Sequence, residues 1–183
     1  MARYGSSNVD RYGPLSAPPI PVRFLLTFDD GPHANTPCIL KHLGCNSIQR
    51  HVKGLFFVQT RAACGGGTEV GRRLLKREHL EGHTLGLHTA TPAGHVSHTR
   101  LGRSELEQSL SDGIDDLMGL TGAAVKFVRP PYWRYNHTTL GCYRSRGLHM
   151  LLSEVKAYDG VNCGFHMVRR WNLRSQLRRV PAR

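Results

Sequence analysis

Residues 24–33 read Phe24-Leu25-Leu26-Thr27-Phe28-Asp29-Asp30-Gly31-Pro32-His33. The apolar, aromatic first half suits a buried strand. It runs into two adjacent carboxylates and a Gly-Pro turn signal. Side chains alternate faces along a strand, so Asp29 and Asp30 share one environment only if the backbone turns there. Gly31-Pro32 is expected to supply that turn and to bring both acids to the strand's carboxyl end, where parallel α/β folds keep their sites. An acidic surface turn is the competing reading, and the rest of the chain decides between the two.

Outward from this stretch, strand and helix signals alternate. Asn35 or Thr36 can cap a short helix with Pro37 in its first turn and Gly44 closing it. Gly54–Val58 reads as a second strand. Thr68 caps a helix with Val70, Leu74, Leu75 and Leu80 apolar, ended by Gly82. Leu85–His88 is a third strand, followed by an irregular segment, 89–103, with Pro92, Gly94, His95 and His98. Ser104 with Glu107 forms a capping box for a helix carrying Leu106, Leu110, Ile114 and Leu117. Val125–Val128 is a fourth strand, breaking into Arg129-Pro-Pro-Tyr-Trp133. Asn136 opens a helix ending near Gly147, Leu148–Leu152 is a fifth strand, and 166–180 looks helical and basic. This alternation implies a parallel sheet or barrel with right-handed crossovers, of about five strands and five helices. Its strand ends carry Asp29 and Asp30, His88, and Arg129 to Tyr132.

With 183 residues, 39% apolar and 21% charged, the chain suits one globular domain with a real core. The net charge of +12 suggests an anionic partner, yet Arg169, Arg170, Arg174, Arg178, Arg179 and Arg183 concentrate much of it near the end. Aromatic residues are not interleaved with that arginine run beyond Trp171, so no specific nucleic acid is expected. Five cysteines without a Cys-x-x-Cys pair indicate neither a zinc ribbon nor a disulfide framework. No apolar run is long enough to span a membrane, and 1–21 reads as a flexible leader, polar and rich in Pro, Gly and Ser, without the core of a signal peptide. The default expectation is cytoplasmic; the oligomeric state is not legible.

One carboxylate and two imidazoles around an open position form the donor set of a water-activating divalent metal, often zinc. Asp30 and His88 are candidates for two of the three, and Asp29 is placed to act as general base. A histidine with a purely structural role is the alternative for His88, one of eleven in the chain.

Thr27-Phe-Asp-Asp-Gly-Pro32, Phe56-Phe-Val58, Gly82-His-Thr-Leu-Gly-Leu-His-Thr89 and Arg129-Pro-Pro-Tyr132 resemble, in order and interval, the motifs of the polysaccharide deacetylases, the NodB-homology domain of carbohydrate esterase family 4. The resemblance covers about residues 23 to 160. It implies a distorted (β/α) barrel, here incomplete, that removes acetyl groups from an N-acetylated polysaccharide with a divalent metal, zinc for preference. By position, Asp29 resembles the general base, Asp30 and His88 two metal ligands, and Arg129 the residue that positions the base. The backbone N–H of Tyr132 resembles the oxyanion donor, and Pro131, Tyr132 and Trp133 would contact substrate. The implied division is 1–21 leader, 22–165 NodB-like domain, and 166–183 a basic helix leading to a missing final strand.

The sequence departs from the family in three places. The second histidine ligand should stand four residues after His88, where this chain has Pro92. Registering the downstream match with an insertion makes His95 the second histidine ligand, with His98 as the alternative. A regular helix would hold His88 and His95 about 10 Å apart, so Pro92 and Gly94 must fold the loop back. Of the fourth motif only Asp159 is kept, and a plain turn at Asp159-Gly160 explains it as well. The fifth motif, which carries the general acid, falls beyond Arg183, and His166 lacks the strand context to replace it. Alternatives are therefore a deacetylase-like domain that binds glycan or metal without turnover, and a basic protein that binds anionic polymers.

Overall fold

A computed structural model describes residues 24–45, 47, 49, 51–154 and 175. Leu25–Ser153 forms one compact unit and carries every element below. Five strands, β1 (Leu26–Gly31), β2 (Gly54–Gln59), β3 (Thr84–Thr89), β4 (Phe127–Val128) and β5 (His149–Met150), alternate with four helices, α1 (Thr36–Cys45), α2 (Glu69–Leu80), α3 (Arg103–Thr121) and α4 (His137–Arg144). All strand pairs are parallel, and spatial order follows chain order from β1 to β5. Right-handed crossovers that always advance in one direction keep the helices on one face, which winds a sheet toward a barrel rather than a doubly wound stack. Successive helices indeed pack on one another, α1 on α2, α2 on α3 and α3 on α4. The expected fifth helix, 166–180, lies outside the described residues apart from Ser175. No described helix is long and apolar enough to cross a membrane.

The helix-facing side of the sheet holds the core. Phe56, Val58 and Leu85 pack against Leu40 and Leu43 of α1, Leu75 of α2 and Leu117 of α3. Leu87 and Val128 pack against Leu106 and Leu110 of α3 and Cys142 and Tyr143 of α4. Local signals set two of the four helix starts. The Thr68 hydroxyl accepts from Gly71 N, and Asn136 forms a reciprocal capping box with Thr139. The capping box expected at Ser104 and Glu107 does not form. α3 starts two residues earlier, after Gly102, without a side-chain cap, and Glu107 instead accepts from Arg103 Nε at 3.0 Å. The last two strands are shorter than expected, two residues each, although flanking backbone bonds such as Arg129 N to Leu87 O and Leu151 N to Val128 O continue the pairing. The described cysteines 38, 45, 64 and 142 are free, and Cys163 lies outside the described residues.

Candidate active site

Strand alternation assigns Thr27 and Asp29 of β1, Phe57 and Gln59 of β2, and Gly86 and His88 of β3 to the face opposite the helices. That face converges on Arg129, just past β4, whose guanidinium contacts Thr27, Asp29 and the ring of Phe57. By the same alternation Asp30 belongs with the core-facing Phe28, and two irregularities turn it. The pairing of β1 with β2 runs from Phe28↔Phe56 to Gly31↔Val58, so β1 carries one extra residue, and Asp30 itself adopts φ 65°. The left-handed residue is thus Asp30, not the Gly-Pro pair expected to make the turn, although the Gly31–Pro32 peptide is cis. Aspartate reaches that region more readily than most side chains. β3 has a matching bulge: Val58 pairs with Leu87 and Gln59 with Thr89, leaving His88 as the extra residue, re-aimed at Asp30.

His88 Nε2 lies 3.3 Å and His95 Nε2 3.6 Å from Asp30 Oδ1. All three donor atoms fall within 4.8 Å of one another. His95 gets there through a turn, not a helix. Gly94 N donates to Thr91 O at 2.9 Å across Pro92 and Ala93, and Gly94 takes φ 78°. Proline at the second place and a left-handed glycine at the fourth suit this reversal. His98, the alternative, is buried elsewhere, with Nδ1 2.7 Å from the Tyr143 hydroxyl. Burial pushes its imidazole down to about 3, with the charges of His88 and His95 adding to that.

The donors fit a cation. His88 Nδ1 lies 2.7 Å from the Arg129 carbonyl oxygen, which can only accept, so Nδ1 carries the proton and the lone pair of the neutral ring is on Nε2. That Nε2 is buried and, among the described residues, has no hydrogen-bond partner. It faces a carboxylate oxygen at 3.3 Å, another electron-pair donor, so positive charge between or beside them would stabilise the pair. Burial alone would raise the Asp30 carboxyl, but His88, then His95 and the Gln59 amide, outweigh it and hold it below its ordinary value. Burial likewise lowers the His95 imidazole, against the pull of Asp30, which favours the neutral ring that a metal requires.

Asp29 is held by Arg129 Nη1 at 2.8 Å. Arg129 is only 2% exposed and also donates to Thr27 Oγ1, Leu151 O and Leu152 O. Tyr132 and Trp133 both have φ 58°, a strained pair in the Arg-Pro-Pro-Tyr-Trp turn. That backbone aims Tyr132 N–H at the cluster, where it lies 3.4 Å from His95 Nε2, and its ring stacks on His95 at 4.3 Å. Pro131 is buried beneath, and the Tyr132 ring is exposed. Asp159 and His166 lie outside the described residues. Gln59 was not anticipated. Its signal is a polar residue ending an apolar strand beside the strand of Asp30, and its Nε2 donates to Asp30 Oδ1 at 2.9 Å.

Against known proteins, residues 18–151 match the polysaccharide deacetylase family, and the chain belongs to it. The chain is 34% identical over 126 residues to a peptidoglycan-N-acetylglucosamine deacetylase of Bacillus cereus, covering 68% of this chain and 42% of that protein. It is 28% identical over 145 residues to a chitin deacetylase of a Pestalotiopsis species, covering 79% and 46%. The structure of a chitin deacetylase from Colletotrichum lindemuthianum shares the fold, with a TM-score of 0.70 at 23% identity, over 81% of this chain and 62% of that one. The architecture of the described residues is therefore that of the NodB-type α/β domain. The chain spans less than half the length of these two sequence relatives.

Proposed function

We propose that this chain is a metal-dependent N-deacetylase acting on an N-acetylglucosamine-type polysaccharide, chitin-like or peptidoglycan-like. The observation that carries the reading is the convergence of Asp30 Oδ1, His88 Nε2 and His95 Nε2 at the strand ends, beside an Asp29–Arg129 pair. Membership in a family whose relatives are named chitin and peptidoglycan-N-acetylglucosamine deacetylases supports the substrate class.

Asp30, His88 and His95 would hold a divalent cation, and a set with two imidazoles favours zinc. When bound, the cation supplies Lewis acidity, acidifying water and polarising a carbonyl. Asp29 takes a proton from the attacking water, and Arg129 fixes the direction in which its carboxylate points. Tyr132 N–H donates to the acetamide oxygen, which gains charge as the carbon becomes tetrahedral. Pro131, Tyr132 and Trp133 form the edge against which the sugar rests.

Acetate release from chitin oligomers and from peptidoglycan glycan, measured with zinc, tests the reading. Asp30→Ala and His88→Ala are each expected to abolish it; release undiminished in either variant refutes the function. Zinc binding without release from any N-acetylated glycan would favour a binding domain without turnover.

A further inference from the structure

Resting on the reading of Asp30, His88 and His95 as a cation site, we propose that Gln59 is a positioning residue. It ties the Asp30 carboxylate to the loop carrying His95 and so sets how tightly the cation is held. Gln59 closes β2, the strand between those of Asp30 and His88, and its side chain is buried. Its Nε2 donates to Oδ1 of Asp30, the oxygen that faces both histidines. A carboxylate only accepts, so the amide orientation follows: nitrogen toward Asp30, Oε1 turned away. That Oε1 lies against Gly94, where a Cβ would stand 2.8 Å from it. Gly94 immediately precedes His95 and has φ 78°, so a side chain there would be strained and driven into the amide.

The base of this strut is fixed separately. The Gln59 carbonyl accepts from Gly66 N at 3.2 Å, and a Cβ on Gly66 would come within 2.3 Å of that oxygen. One amide on a hydrogen-bonded base therefore donates to Asp30 at one end and lies against the backbone that precedes His95 at the other. A loop as long as 89–94 loses conformational entropy when a ligand fixes it, and a tie that has already ordered it reduces that loss. An oxygen with two lone pairs can accept from Gln59 and still face the histidines.

Zinc is titrated calorimetrically into the metal-stripped full chain, as wild type, Gln59→Met, Gln59→Asn and His88→Ala. Methionine keeps the length and removes the donor; asparagine keeps the amide and withdraws it by one methylene. Both Gln59 variants are expected to bind zinc about 10–100-fold more weakly, the usual effect of losing an outer partner of a ligand. Their metal-free unfolding midpoints stay close to wild type, and the visible spectrum with cobalt(II) changes, a combination that a merely structural role would not give. If His88→Ala abolishes binding while either folded Gln59 variant binds within twofold of wild type, this inference falls and the site reading stands. A wild type that binds no zinc overturns both.

Discussion

The carbonyl oxygen of Arg129 accepts a hydrogen bond from His88 Nδ1 at 2.7 Å, while the guanidinium of the same residue holds Asp29 at 2.8 Å. One residue thus orients the imidazole through its backbone and the carboxylate through its side chain. A substitution touches only the second task. Arg129→Lys is expected to keep zinc affinity within a few fold, because the carbonyl remains, and to cut acetate release by about 100-fold or more, because one ammonium cannot serve Asp29, Thr27 and two carbonyls. Zinc titration beside a deacetylation assay checks this. Arg129→Met, which leaves the half-buried Asp29 carboxylate without its partner, should cost about 1–3 kcal/mol of stability.

Asp29 and Asp30 are neighbours with different partners, so their variants should separate. Asp29→Asn is expected to bind zinc as wild type does and to lose about 100- to 10,000-fold in acetate release, the range for a missing general base. Asp30→Asn should lose zinc as well. Equal zinc loss in both would contradict the assignment.

His95 and His98 are three residues apart and should behave oppositely. His95→Ala removes a donor within 3.6 Å of Asp30 Oδ1, so zinc should no longer raise the unfolding temperature. His98→Ala breaks the contact with the Tyr143 hydroxyl inside the core and should lower stability by about 1–3 kcal/mol while zinc still stabilises the protein. Differential scanning fluorimetry with and without zinc reads both.

Glu78 of α2 is fully buried, and among the described residues neither carboxylate oxygen has a hydrogen-bond partner. Burial pushes its carboxyl up to about 8 from 4.5. Between those values the folded state keeps a proton that the unfolded chain releases, so stability present below pH 4.5 is lost as pH rises to about 8. At about 1.4 kcal/mol per unit the loss amounts to a few kcal/mol. Glu78→Gln should flatten this slope and be the more stable protein at pH 8.5; denaturant titrations across pH, with an unchanged slope, would reject the account.

Local pattern was enough for much of this protein. The apolar run before Asp29, the Thr68 and Asn136 caps and the strand–helix alternation are written in neighbouring residues, and each gave the right element in the right order. That order, with the tendency of parallel strands to align their carboxyl ends, already put Asp29, Asp30, His88 and Arg129 near one another. The reading failed where another local pairing took the residue instead. Ser104 and Glu107 have the spacing of a capping box, but Arg103 takes the glutamate.

The tertiary structure decided the details on which chemistry depends. That Asp30 turns by its own backbone, and that His88 stands in a bulge, follows from how β1 and β3 register with β2, which no single strand encodes. The sequence preferred His95 and kept His98 as the alternative; the path of the turn through Gly94 and the buried pairing of His98 with Tyr143 leave His95 as the neighbour of Asp30. Gln59 carried no motif at all. Its meaning lies in an amide reaching Asp30, 29 residues away along the chain, a contact that exists only once the strands are side by side. Sequence fixes which groups are available at the strand ends; the fold decides which of their atoms face each other.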